Sequence, residues 1–148
     1  MPYPFIRDAA GLDLGARVYS SSTIVGSPAG ASETLVAQIT GIDGQLPVSK
    51  GVFLSAGVNF TVGTNGTAIR VRIRTGTTAG AGTVVADTGA VTGGVTAANL
   101  LAQDVQGFDT AASGGTAVAA TSYHVSLTVT GGSAASTVST VSLVALVA

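Results

Sequence analysis

Residues 67–76 read TAIRVRIRTG, and the way this stretch alternates decides the fold. Arg70, Arg72 and Arg74 interleave with Ile69, Val71 and Ile73. Successive side chains of a strand point to opposite faces, so the three apolar residues share one face and the three arginines the other. A helix would spread both sets around its circumference. The stretch is therefore a strand with an apolar core face and a basic outer face. Neighbouring arginines on it stand about 7 Å apart. Three like charges in a row repel unless a counter-charge intervenes. Asp87 and Asp104, on the next two candidate strands, could supply one, as could a neighbouring subunit or a phosphate.

The same period runs outward in both directions. ETLVAQIT (33–40) sets Leu35, Ala37 and Ile39 against Val36, Gln38 and Thr40. GVFLSAGVNFTVG (51–63) is a strand in which Gly57 marks a bulge. GTNG (63–66) reads as a hairpin turn leading into the arginine strand. GTVVADTGAV (82–91) and VTAANLLAQDV (95–105) are two further strands, separated by Gly93-Gly94, and QGFDTAASGGTA (106–117) is a loop. TSYHVSLTVT (121–130) turns Tyr123, Val125, Leu127 and Val129 inward against His124, Ser126, Thr128 and Thr130, and STVSTVSLVALVA (136–148) closes the chain. With a weaker strand in ARVYSSSTIV (16–25), about eight strands and no helical pattern emerge. The expected fold is all-β: an antiparallel β-sandwich, jelly-roll-like, with residues 17–148 forming one domain. Residues 1–16 stand apart as an extended arm. Pro2 and Pro4 favour extended backbone, and Tyr3 and Phe5 are apolar anchors outside any period.

Composition narrows the function. Only 9% of the 148 residues are charged, against about a quarter in an ordinary soluble domain. A compact monomer covers itself with charged side chains, which this chain lacks. Its surface is either a coat of Thr, Ser and Gly or is buried against other chains. There is no cysteine, which removes disulfides, thiolate metal sites and cysteine nucleophiles. The single histidine, His124, cannot build a multi-histidine metal site and reads as a surface residue on a polar strand face. The carboxylates Asp8, Asp13, Glu33, Asp43, Asp87, Asp104 and Asp109 are scattered singly, with Asp43-Gly44 in a turn. No nucleophile elbow or phosphate-binding loop is present. The expectation is a protein that is not an enzyme and takes no cofactor or metal. The net charge is −1 and no aromatics interleave with the arginines, so no nucleic-acid partner is expected. The arginine comb reads first as an ion-paired sheet face and second as a lattice contact. The longest apolar run is far short of a membrane span, so no membrane is expected. The N-terminus has no apolar signal-peptide core.

The C-terminal segment TVSLVALVA (140–148) departs from simple alternation. Val141, Leu143, Ala145 and Val147 share one face, yet the other holds Val144 and Leu146 beside Ser142. Burying each of these two stabilises by roughly 1.5–3 kcal/mol. The strand is thus expected to be covered on both faces, either by the N-terminal segment or at a subunit interface.

Several of these segments together, ETLVA, NFTVGTNGTA, RVRIRTG and the closing YHVSLTVTGGSAASTVSTVSLVA, give residues 32–148 a familiar pattern. It resembles that of tailed-bacteriophage virion structural proteins, small β-sandwich capsid decoration (cement) proteins among them. The resemblance implies a jelly-roll-like, often trimeric protein on the outer capsid surface. There it would clamp neighbouring major capsid proteins against internal DNA pressure. On that reading the partners are the major capsid protein and further copies of the chain. Tyr3, Phe5, Ile6 and Arg7 of the arm contact the capsid or a neighbour, Val144 and Leu146 lie in the oligomer interface, and Arg70, Arg72 and Arg74 are a candidate lattice contact. The alternative is a tail, fibre or spike module that binds a host receptor or glycan, for which Phe108, Asp109 and Asp43 are the available loop residues.

Overall fold

Each period-two segment becomes a strand, and the strands pair from the outside of the sequence inward. The structure, a computed structural model, describes residues 17–21, 32–42, 51–110, 122–131 and 136–147. The arm residues Tyr3, Phe5, Ile6 and Arg7 and the Asp43-Gly44 turn lie outside the described residues. The strands are β1 (Arg17–Ser21), β2 (Thr34–Ile39), β3 (Gly51–Thr61), β4 (Ala68–Thr75), β5 (Val84–Asp87), β6 (Leu100–Thr110), β7 (Tyr123–Thr130) and β8 (Thr137–Val147). No helix occurs among the described residues. β1 pairs with β8, β2 with β7, β3 with β6 and β4 with β5, all antiparallel. The β3–β8 and β4–β7 ladders then complete two four-stranded sheets, β1-β8-β3-β6 and β2-β7-β4-β5. Only the β4–β5 connection stays within one sheet. This is the order of a jelly roll, a long antiparallel ribbon rolled over itself.

The inner faces interdigitate as the alternation predicts. Val52, Leu54, Ala56, Val58 and Phe60 of β3 and Val141, Leu143 and Ala145 of β8 are buried against Ile69, Val71 and Ile73 of β4 and Val125, Leu127 and Val129 of β7. Tyr123 is buried among them, and its hydroxyl donates to Asp109 Oδ2 at 2.6 Å. That bond joins β7 in one sheet to β6 in the other and satisfies the phenol in an apolar interior. Gly107 closes one corner of the sandwich. A Cβ there would stand 2.6 Å from the Val85 carbonyl oxygen and 2.7 Å from Ala86 Cβ. Edge strands β5 and β6 meet this closely only because position 107 has no side chain.

Several local expectations are corrected. The GTNG segment is not a hairpin turn: it carries the chain from β3 in one sheet to β4 in the other. Gly57 is not a bulge either, since the β3–β6 register runs unbroken through it; the β3–β8 register shifts after Asn59 instead. β2 does not alternate cleanly. Its register with β7 shifts between Leu35 and Ala37, and both Val36 and Ala37 are buried. The strand expected over 82–91 is shorter. Gly89 N–H donates to Asp87 Oδ1 at 2.7 Å, a side-chain turn that ends β5 at Asp87. The strand expected over 95–105 begins later and runs further. Residues 94–99 form a turn, in which the Thr96 and Asn99 amides bond back to Gly94 and Thr96 and the Ala97 amide bonds to Asn65 Oδ1. β6 then continues through Gly107, Phe108 and Asp109, which pair with Leu54, Phe53 and Val52, where a loop was expected.

Candidate functional site

Sheet β2-β7-β4-β5 carries the arginines on its outer face. Glu33, just before β2, and Asp87, at the end of β5, reach them from either side. Arg70 grips Asp87 with Nε at 2.8 Å from Oδ1 and Nη2 at 2.6 Å from Oδ2. Arg72 donates through Nε to Asp87 Oδ2 at 3.1 Å and through Nη1 to Glu33 Oε1. Arg74 grips Glu33 with Nε at 2.8 Å from Oε2 and Nη2 at 2.6 Å from Oε1, and donates through Nη1 to the Gly82 carbonyl at 3.1 Å. The result is an alternating chain, Arg70–Asp87–Arg72–Glu33–Arg74, with two bidentate pairs at its ends. Such planar fork contacts are the strongest form of the ion pair. Interleaving opposite charges removes the repulsion that the bare arginine spacing implies.

The network sits over β7, the strand between β2 and β4. Arg70, Arg72 and Arg74 lie opposite Thr128, Ser126 and His124 in the β4–β7 ladder. The Ser126 hydroxyl donates to Glu33 Oε2 at 2.7 Å. The Arg74 guanidinium, assisted by Ser126 and Arg72, holds the Glu33 carboxyl at about 2, below its ordinary 4.5 and against the opposing effect of burial. The Asp87 carboxyl lies below the usual carboxylate range, chiefly because of Arg70. Arg70 and Arg74 are pushed the opposite way by the carboxylates they hold.

Of the two carboxylates expected beside the arginines, the structure brings in Asp87 but not Asp104. Asp104 lies in the other sheet, opposite Gly57. Its place is taken by Glu33, whose side chain is 9% exposed. Glu33 is far from the arginines in sequence, and only the β2–β7–β4 order makes them neighbours. The surface reading of His124 is also corrected: the ring is fully buried although it occupies the polar face. Central position explains this. With a strand on each side, the small polar residues of β7 lie beneath longer side chains from their neighbours. His124 Nδ1–H donates to the Gly76 carbonyl at 2.9 Å, and Nε2 has no partner among the described residues.

The outer face of sheet β1-β8-β3-β6 is of the opposite character. Val18 of β1 pairs with Leu146 of β8, Leu146 with Phe53 of β3, and Phe53 with Phe108 of β6. Four strands thus place four apolar residues in one row across the whole sheet. Val18 is 67% exposed, Phe108 52% and Phe53 40%; Leu146 is half-buried. Val144, 37% exposed, sits in the adjacent row with Ser20, Ser55 and Gln106. Asp104 is the one charged residue of this face among the described side chains. β1 adds to β8 edge to edge, and no other described residue lies over the outer face. Val144 and Leu146 were expected to be covered by the N-terminal segment or at a subunit interface; that segment lies outside the described residues. The sequence pointed to Leu146 of this row and Val144 of the next, and it read Phe108 as a loop residue; Val18 and Phe53 escaped notice because their own strands look unremarkable until the register aligns them.

The two described residues of the glycan alternative, Phe108 and Asp109, do not converge. Phe108 faces outward on β6, while Asp109 is engaged by Tyr123 across the core. Among the described residues no group of three or more His, Cys, Asp or Glu could hold a metal ion, and no helix is long and apolar enough to cross a membrane. No protein-family model matches the chain, and no curated protein matches it. Among solved structures, a chain in the structure of infectious bursal disease virus, Gx strain, is similar with a TM-score of 0.48 and 18% identity. The match covers 90% of this chain and 32% of that one, so this chain spans about a third of its length.

Proposed function

We propose that the chain is a non-enzymatic virion structural protein. In the finer reading it is a capsid decoration protein that binds the outer capsid surface and stabilises the major capsid protein lattice through protein–protein contacts. The observation that carries the proposal is the apolar row Val18–Leu146–Phe53–Phe108, uncovered by any described residue, on a sheet face with a single charge among the described side chains. Exposed apolar area of this kind marks a protein built to associate. The sequence resemblance to decoration proteins supplies the setting. Val144 and Leu146 belong to the self-association surface. The arm, through Tyr3, Phe5, Ile6 and Arg7, contacts the capsid, and its extended segment can add a strand to an exposed edge there. Repeated weak contacts on a symmetric lattice sum by avidity. The arginine face has its charges matched internally, which assigns it to stability ahead of lattice contact.

The test is co-sedimentation with tailed-phage capsids stripped of decoration. Saturable binding at a fixed number of copies per capsid is expected. Deleting residues 2–12 is expected to weaken binding while the fold, followed by circular dichroism, persists. Failure to bind any such capsid, together with saturable binding on a glycan array, would replace this reading with the tail or spike module.

A further inference from the structure

We infer that the open face of sheet β1-β8-β3-β6 docks a second copy of this chain, face to face, about a two-fold axis running along the strands between β8 and β3. The register supports this arrangement. Leu146 and Phe53 flank the axis in one row, with Val18 and Phe108 outside them. The two-fold operation sets Leu146 of each copy over Phe53 of the other, and Val18 of each over Phe108 of the other. Apolar then meets apolar along the entire row. In the next row Val144 of each copy lies over Ser55 of the other. Asp104 is two rows further along β6, about 14 Å from the apolar row. It lies opposite a level that β1, ending at Ser21 beside Leu143, does not reach. Among the described residues no strand of the second copy lies over this carboxylate, so it is not stranded in the contact.

Area and charge favour a second copy over a foreign partner. β8 and β3 face each other over 11 residues, and β6 is faced only by the five residues of β1, which at about 4.8 Å between strands and about 3.3 Å per residue gives a contact of about 500 Å² per copy. A pair would bury about 1,000 Å², which meets the roughly 1,000 Å² that a specific interface needs. With one peripheral charge among its described side chains, the face offers no described charge pattern by which a different protein would be selected. An isologous contact needs no such pattern, because it matches a surface to itself. A flat face used this way is satisfied by one partner, so the assembly closes at two copies, where the resemblance implies three. The inference stands independently of the virion proposal, which can fail while the pairing holds.

The experiment is sedimentation equilibrium of the full chain over a concentration series. The expected mass is twice the 14.3 kDa of one chain. Phe53→Lys places two unpaired charges in the pair and is expected to raise its dissociation constant about a hundredfold or more. Val18→Lys, at a more exposed edge position, is the second variant should Phe53→Lys fail to fold. Leu100→Lys is the control: Leu100 is exposed but lies in the Thr61 row at the far end of β6, and its mass is expected to match the wild type. A wild-type monomer at all concentrations, a trimer, or a folded Phe53→Lys or Val18→Lys chain that still pairs would each overturn the inference.

Discussion

The two outer faces of this sandwich solve the same problem in opposite ways. Both belong to four-stranded sheets, and both carry residues that would be costly if left alone. On sheet β2-β7-β4-β5 three like charges are closed by Glu33 and Asp87 into a network covering Ser126 and His124, so the face is complete within one chain. On sheet β1-β8-β3-β6 four strands contribute to an apolar row that nothing in the described chain covers. The difference teaches that a polar-looking face can be finished and inward-acting, while a face of Val, Ser, Gly and Phe can be the one left open.

Substitutions can break or sharpen that contrast. The largest effect is expected just beneath the open face. Leu143→Ala removes a fully buried side chain and is expected to cost about 2–5 kcal/mol in urea unfolding. Next is Glu33→Ala, which leaves Arg72 and Arg74, themselves only 18% and 15% exposed, without their shared carboxylate. A loss of about 2–3 kcal/mol at neutral pH is expected, lessened from a fully buried pair by the remaining water contact. A loss below about 0.5 kcal/mol would show that the network is decorative.

The same network sets a pH dependence. The Glu33 carboxyl lies at about 2 in the fold and at its ordinary 4.5 when released. A depressed carboxyl contributes its stability fully above pH 4.5 and loses it as the pH falls toward 2. The expected loss over that window is about 1–2 kcal/mol after allowance for solvent screening, with Asp87 adding in the same direction. Stability curves for wild type and Glu33→Gln should converge as the pH drops; parallel curves would contradict the role given to Glu33. A smaller effect is expected from Arg70→Ala, since that side chain is 40% exposed and an exposed pair contributes under about 1 kcal/mol. The smallest is Val144→Thr. In dilute protein it should change unfolding by less than about 0.5 kcal/mol, in contrast to Leu143→Ala one residue away.

Most of the fold was legible because strand alternation is local. Ile69, Val71 and Ile73, and Tyr123 through Val129, declare their inner face within a few residues. The jelly-roll order was harder to read, since GTNG looks like a hairpin and yet crosses between sheets. Gly107 looked like the start of a loop, whereas it is a close-approach point inside β6. The sites were legible in halves. Asp87 is near the arginines in sequence and was expected beside them, but Glu33 is brought there by a long-range strand order that no local pattern encodes. Val144 and Leu146 broke the alternation of β8 and could be found alone. Phe53, Phe108 and Val18 become one row only through three separate registers.

The central claim is that one face is closed and the other open until a second copy covers it. Hydroxyl-radical footprinting of the wild-type chain, dilute and concentrated, tests it directly. The account predicts that Phe53, Phe108 and Leu146 are oxidised in dilute solution and become protected together as concentration rises, while reactivity around Arg70 and Asp87 stays constant. Unchanged labelling of the row at every concentration, or protection that appears on the arginine face instead, would contradict it.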